Sequence, residues 1–276
     1  MGKLVPLGIL TTKPPTSISG GSSRLLKYIE GIAYFLEGRT KYMKKCVKIV
    51  LISIISLVVL LISAFFIYVS DYYKADDVAI AVMHSDAVIS FQDNMTILSP
   101  TTSSDTALIF YPGAKVEYLA YLPILEKIKH SSGITCILVR MPFNMAIFDA
   151  NAADKIIDQF PDIKNWYIGG HSMGGAMASD YASKHKGRVK GLILLGAYIY
   201  GDYPAEKTLT VYGTFNTSVA DKIDYTENIV VIEGGNHAQF GNYGKQKGDP
   251  DATISSVEQQ SIAVKAIKEF LAKRSD

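Results

Sequence analysis

From Tyr72 onward the sequence predicts an α/β fold: a mostly parallel sheet with helices on both faces, preceded by one membrane-spanning helix. Three observations predict it. Short apolar runs of strand-forming residues alternate with stretches of helical periodicity. One of those runs, Trp166-Tyr167-Ile168, leads into Gly170-His171-Ser172-Met173-Gly174, and Ala176, Met177, Ala178, Tyr181 and Ala182 then recur at helical spacing. Ile49 to Val69 carries no charge, a run of about 21 residues, which is long enough to cross the hydrocarbon core of a bilayer.

Taken in order, residues 1–45 read as a cytoplasmic N-terminal segment. Thr11 to Ser23, rich in Thr, Pro, Ser and Gly, is expected to be disordered. Arg24 to Gly38 is expected to form a separate short helix with Leu25, Ile29, Ile32 and Leu36 on one side. Met43-Lys44-Lys45 followed by an apolar run resembles a natural protein start, so residues 1–42 read as a possible product of gene-start choice. Residues 46–70 form the anchor and 71–276 the folded domain. Arg39, Lys41, Lys44, Lys45 and Lys48 flank the apolar run on one side, with Asp71, Asp76 and Asp77 beyond the other. That asymmetry places the N-terminus in the cytoplasm and the domain outside the cell membrane, as a single-pass protein. A cleaved signal peptide is the rival reading, but the run is longer than the usual 7–15 residues of a signal core and no Ala-x-Ala site follows.

Within the domain, Ala87–Phe91 and Met95–Leu98 predict a hairpin around Gln92-Asp93-Asn94. Ala107–Tyr111, Thr135–Val139, Trp166–Gly169, Gly191–Ala197, Leu209–Tyr212 and Ile229–Ile232 predict strands. Tyr118, Tyr121, Leu122, Leu125 and Ile128 mark one helix and Ala146–Phe160 another. Ser255-x-x-Glu258 is a capping box opening a last helix with Ala263, Ala266, Ile267 and Phe270 inward. No insertion is long enough to form a lid.

The formal net charge of +2 and the lack of a basic-aromatic pattern give no support for nucleic-acid binding. The two cysteines, Cys46 and Cys136, are too few for a disulfide framework and belong to no metal pattern. No cofactor or metal motif is found. The chemistry-bearing stretch is therefore G-x-S-x-G in a strand–turn–helix context, which presents Ser172 on a sharp turn at a helix N-terminus. A serine hydroxyl needs a base. Of five histidines, His171 is expected to point away from Ser172, His130 and His185 lie among polar residues near helix ends, and His84 precedes the sheet. His237 follows the last predicted strand, where the order serine, acid, histidine requires a base.

With Phe110-Tyr-Pro-Gly-Ala-Lys-Val116, Met141-Pro-Phe-Asn-Met-Ala146, Gly169–Gly175 and Gly234-Gly-Asn-His-Ala-Gln-Phe-Gly-Asn-Tyr-Gly244, residues 87–272 resemble the α/β-hydrolase fold family. More narrowly, they resemble small, lidless, often membrane-anchored bacterial hydrolases of the dienelactone-hydrolase-like kind. The resemblance implies serine-ester chemistry on a small-molecule acyl substrate, with Ser172 as nucleophile and His237 as base. It also implies an oxyanion hole from the backbone N–H of Met173 and of Gly113 or Ala114, the latter preferred. One position departs from the family. Asn216 stands where the family carries its acid, and Asp202, Asp221 and Asp224 are the candidate replacements. A carboxylesterase-like hydrolase is expected; a membrane-anchored pseudo-hydrolase or binding module is the alternative that Asn216 supports, and an acyltransferase or peptidase would use the same site.

Overall fold

A computed structural model describes residues 20–85, 89–92 and 94–274; the first part of the expected disordered stretch and Ala87, Val88 and Asp93 of the expected hairpin lie outside them. By its internal contacts the chain divides into Met1–Phe65 and Phe66–Asp276. In the first unit the described residues are helical. They belong to α1, Gly20–Ser70, a single helix of 51 residues. This corrects two expectations: residues 20–23 are helical, and Arg24–Gly38 is no separate helix. The linking residues Arg39–Lys48 contain five basic side chains but no proline or glycine, so nothing interrupts the backbone ladder. The most apolar window of α1 has a mean hydropathy of 3.1 and none of it is buried. That is the composition and length of a membrane anchor or a signal segment.

The second unit is built on one sheet, eight-stranded among the described residues, in the order β1-β2-β4-β3-β5-β6-β7-β8. The strands are β1 (Ile89–Gln92), β2 (Met95–Leu98), β3 (Thr106–Tyr111), β4 (Thr135–Val139), β5 (Asn165–His171), β6 (Gly191–Leu195), β7 (Thr208–Gly213) and β8 (Ile229–Ile232). The β1/β2 and β2/β4 pairs are antiparallel and all others parallel. Period-two alternation divides the core into two layers. Leu108, Phe110, Leu138 and Ile193 face one side, with Leu125 and Ile128 of α3 (Leu122–Ser132) and Ile267 and Phe270 of α7 (Ser256–Ala272). Ile109, Ile137, Ile168 and Leu192 face the other, with Ile156 of α4 (Ala152–Gln159) and Tyr181 of α5 (Met173–Lys184). The central strands are therefore apolar on both faces, as parallel strands covered by helices must be.

Two helices differ from expectation. Ala146–Phe160 is not one helix: a 3-10 turn at Ala146–Phe148 precedes α4. The Tyr111 hydroxyl donates to the Ala150 carbonyl at 3.0 Å and accepts from the Ala153 N–H at 2.9 Å, which holds the chain open between the two turns. Helix α2, Asp77–Ser85, has no counterpart in the sequence reading; the Asp76 carboxylate caps it by accepting from Ala79 N–H at 3.0 Å. The Ser255 half of the expected capping box is present, with Ser255 Oγ accepting from Glu258 N–H at 3.1 Å.

Candidate active site

β5 is central in the sheet, and its carboxyl end turns directly into α5. Ser172 stands at that turn with φ 52° and ψ −124°, a conformation unfavourable for a residue with a side chain. Two features hold it there. Ser172 N–H donates to the Leu195 carbonyl at 3.0 Å across the sheet end. Behind it, Gly174 lies against β3 so closely that a Cβ would stand 2.2 Å from the Tyr111 carbonyl oxygen and 2.3 Å from that of Pro112. The glycine therefore lets the helix start sit on the loop after β3, which brings Met173 and the Pro112–Ala114 segment together.

The N–H groups of that junction are not equivalent. Gly113 N–H donates to the Tyr121 hydroxyl at 3.1 Å, so it is engaged inside the protein. Among the described residues, the N–H groups of Ala114 and Met173 have no such internal acceptor. Of the two expected positions in the β3 loop, Ala114 is the one with a donor to offer.

His237 follows β8 and precedes the 3-10 turn Ala238–Phe240. Ser172, Asn216 and His237 line one cavity of about 480 Å³ with Phe215, Lys247 and Asp249. Asn216, buried at the start of the short helix α6 (Thr217–Ala220), places its amide Nδ2 2.7 Å from His237 Nδ1. Two hydrogen arrangements fit this contact. With Nδ2 donating, Nδ1 is the acceptor and the imidazole proton sits on Nε2. With the amide turned over, Oδ1 accepts from Nδ1–H and Nε2 is left as a free base. Ser218 Oγ, 3.2 Å from Oδ1, fits both because a hydroxyl donates and accepts. Asp202, Asp221 and Asp224 are exposed; Asp202 pairs with Lys186 at 2.5 Å, and none of the three bonds to His237.

Sequence reasoning missed three parts of the site. His171 points inward, away from the cavity, as expected, but it is not idle. Its Nε2 is 3.0 Å from the His237 carbonyl, which can only accept, so the proton is on Nε2 and Nδ1 accepts from the Tyr121 hydroxyl at 2.8 Å. A directed chain thus runs from Gly113 N–H through Tyr121 and His171 to the backbone of His237. Burial first, and the neighbouring His237 second, hold the His171 imidazole well below the ordinary value of 6.5. His237 is also pushed down by burial, with Asp249 pulling the other way. The second part is Gly196, at φ 53°, where a Cβ would lie 3.1 Å from His237 Nδ1 and 3.2 Å from both Asn216 Nδ2 and His171 Nε2. The third is Asp249, whose carboxylate accepts from His237 N–H at 3.2 Å and Ala238 N–H at 2.8 Å. None has a short-range signature; only the loop Gly241–Asp251 was recognisable, as a glycine-rich stretch following His237. Among the described residues no group of histidine, cysteine and acidic side chains is arranged to hold a metal ion.

No curated protein matches the chain. Solved structures similar to it include a ferulic-acid-bound Est1E from Butyrivibrio proteoclasticus, 15% identical with a TM-score of 0.48, covering 66% of this chain and 94% of that one. MenH from S. aureus is 14% identical with a TM-score of 0.49, covering 65% and 100%. XC6422 from Xanthomonas campestris, described as an a/b serine hydrolase without lid, is 9% identical with a TM-score of 0.47, covering 67% and 96%. A family model described as the alpha/beta hydrolase family matches residues 107–261, more than half of the sequence, and on that match the chain belongs to the alpha/beta hydrolase family.

Proposed function

We propose that the protein is a serine hydrolase that cleaves an ester-type acyl bond of a small-molecule substrate. The observation that carries this reading is the cavity in which a backbone-strained serine, a histidine and that histidine's hydrogen-bond partner meet. In the proposed reaction His237 Nε2 takes the proton of Ser172 Oγ as the oxygen attacks the substrate carbonyl. The oxyanion is received by the N–H groups of Met173 and Ala114. The histidine then protonates the leaving alcohol, and water, activated by the same Nε2, releases the acid from the acyl-enzyme. Asn216 orients the ring through Oδ1 and so keeps Nε2 unprotonated. Ser172→Ala and His237→Ala should each abolish hydrolysis of p-nitrophenyl acetate by the folded protein. Retention of activity in either would end this reading.

A second reading, a binding module with little turnover, is favoured by one observation: the partner of His237 is an amide and not a carboxylate. An amide does not neutralise an imidazolium, and in a serine protease the equivalent replacement costs about 10⁴ in rate. We also propose that residues 49–69 anchor the protein in the cell membrane with the hydrolase domain outside. The uncharged run and the basic residues preceding it support this. Protease added to intact cells should then remove the domain; protection until lysis would reverse the orientation.

A further inference from the structure

We propose that Asp249 supplies the negative charge that supports the His237 imidazolium, in place of a carboxylate at position 216. The inference rests on the reading of His237 as the base and names the residue that makes an asparagine tolerable beside it. Proton transfer from Ser172 creates a cation in a largely buried ring, and a buried charge without a counter-charge is costly. Asn216 has no charge to offer, and Asp202, Asp221 and Asp224 are exposed and bonded elsewhere or not at all to this ring. Among the described residues, Asp249 is the only carboxylate lining the cavity that holds Ser172 and His237.

Its position is fixed rather than incidental. The two carboxylate oxygens take the consecutive N–H groups of His237 and Ala238, at 3.2 and 2.8 Å. Both donors belong to the start of the turn that carries the ring, so the charge travels with the histidine. Asp249 is itself only half-buried and keeps access to solvent. The other ionisable groups around His237 do not compete for the role. His171, whose ring centroid is 4.5 Å away, is held neutral by burial. Tyr243 is held in its neutral form by burial, and Lys245 is paired with Asp251 at 2.7 Å. Lys247 lines the cavity with its side chain exposed and opposes Asp249.

Asp249 is thus a positioning residue with two separable contributions, a loop clamp and a charge, and the test must read the charge. The full-length chain in detergent micelles, labelled with ¹⁵N-histidine, gives the His237 titration directly and requires no turnover. Asp249→Asn keeps an acceptor oxygen and removes the charge. It should lower the His237 pKa by about one unit or more, as loss of an opposite charge close to a partly buried group does. The acidic limb of p-nitrophenyl acetate hydrolysis should move to lower pH by the same amount. Asp251→Asn, in the same loop, should leave both unchanged. Asp249→Ser provides a second, smaller neutral variant if the asparagine does not fold. An unshifted His237 titration in a folded neutral variant would overturn the proposal, whatever the rate. Loss of the base reading would show separately, as full esterase activity in His237→Ala.

Discussion

His171 ends the central strand β5 and His237 follows the edge strand β8, and their ring centroids lie 4.5 Å apart, yet the two are held in opposite ways. Both nitrogens of His171 are spent, one on Tyr121 and one on the His237 carbonyl, and the ring is fully buried. Among the described residues only Nδ1 of His237 is engaged, by Asn216, and the ring borders the cavity that contains Ser172. A histidine with both nitrogens bonded inside the protein offers neither to a substrate or to the serine. The one beside the serine in sequence therefore acts as a strut, and the distant one has the nitrogen that chemistry requires. Adjacency in sequence is a poor guide to role here, because the strained turn at Ser172 sends neighbouring side chains in different directions.

The difference is testable by changing what each ring is bonded to. The largest effect is expected at the partner of His237. Asn216→Asp would raise the esterase rate by up to about 10⁴ for a ring with no counter-charge of its own, since the ring would then gain the charged partner whose removal costs that much in a serine protease. With Asp249 supplying the charge, as proposed above, the gain should be far smaller, because a second carboxylate beside the first is repelled. Steady-state kinetics on a chromogenic ester distinguishes the two, and an unchanged rate in Asn216→Ala would place the Asn216–His237 contact outside the mechanism.

Next in size is Gly196→Ala. A Cβ there would press on His237, Asn216 and His171 together, at a positive φ that costs about 1 kcal/mol for a non-glycine residue. Activity is expected to fall at least about tenfold, since a 1 Å misplacement can cost 10² in rate, while the melting temperature drops by only a few degrees. Loss of stability with an undiminished rate would mean that these three side chains need not be held so closely.

The smallest effect belongs to His171 and is best seen through pH. A histidine whose folded pKa lies below 6.5 binds fewer protons folded than unfolded once pH drops under that value. Its contribution is complete above 6.5 and is lost as pH falls towards the folded pKa, at up to about 1.4 kcal/mol per pH unit. His171→Gln should therefore lower stability at pH 8, by about 1–3 kcal/mol for the broken bonds, but flatten its decline between pH 6.5 and 5. Parallel melting curves for the two proteins over that range would show that His171 is charged in the folded state.

How far the sequence reached follows from the range of the forces involved. The six parallel-sheet runs and the elbow were legible because each is encoded within a few residues: apolar runs with turn residues at their ends, and small residues where α5 meets β3. Asn216 was legible as an anomaly in a known position, and the structure sets it at 2.7 Å from the ring. The parts that stayed hidden act across the chain. Tyr121, His171 and His237 are joined over separations of 50 and 66 residues, and Asp249 meets the His237 turn from a loop whose composition shows only glycine and charge. Helix α2 was missed for a local reason, since its nine residues come shortly after the end of α1 and only the Asp76 cap marks its start.

The central claim is that Ser172 is an activated nucleophile served by His237. Its most direct test is reaction of the full-length protein with a fluorophosphonate probe, followed by mapping of the modified peptide. The account predicts covalent labelling on Ser172, absent in Ser172→Ala and strongly slowed in His237→Ala. A wild-type protein that stays unlabelled while folded, or that is labelled as fast without His237, would contradict it.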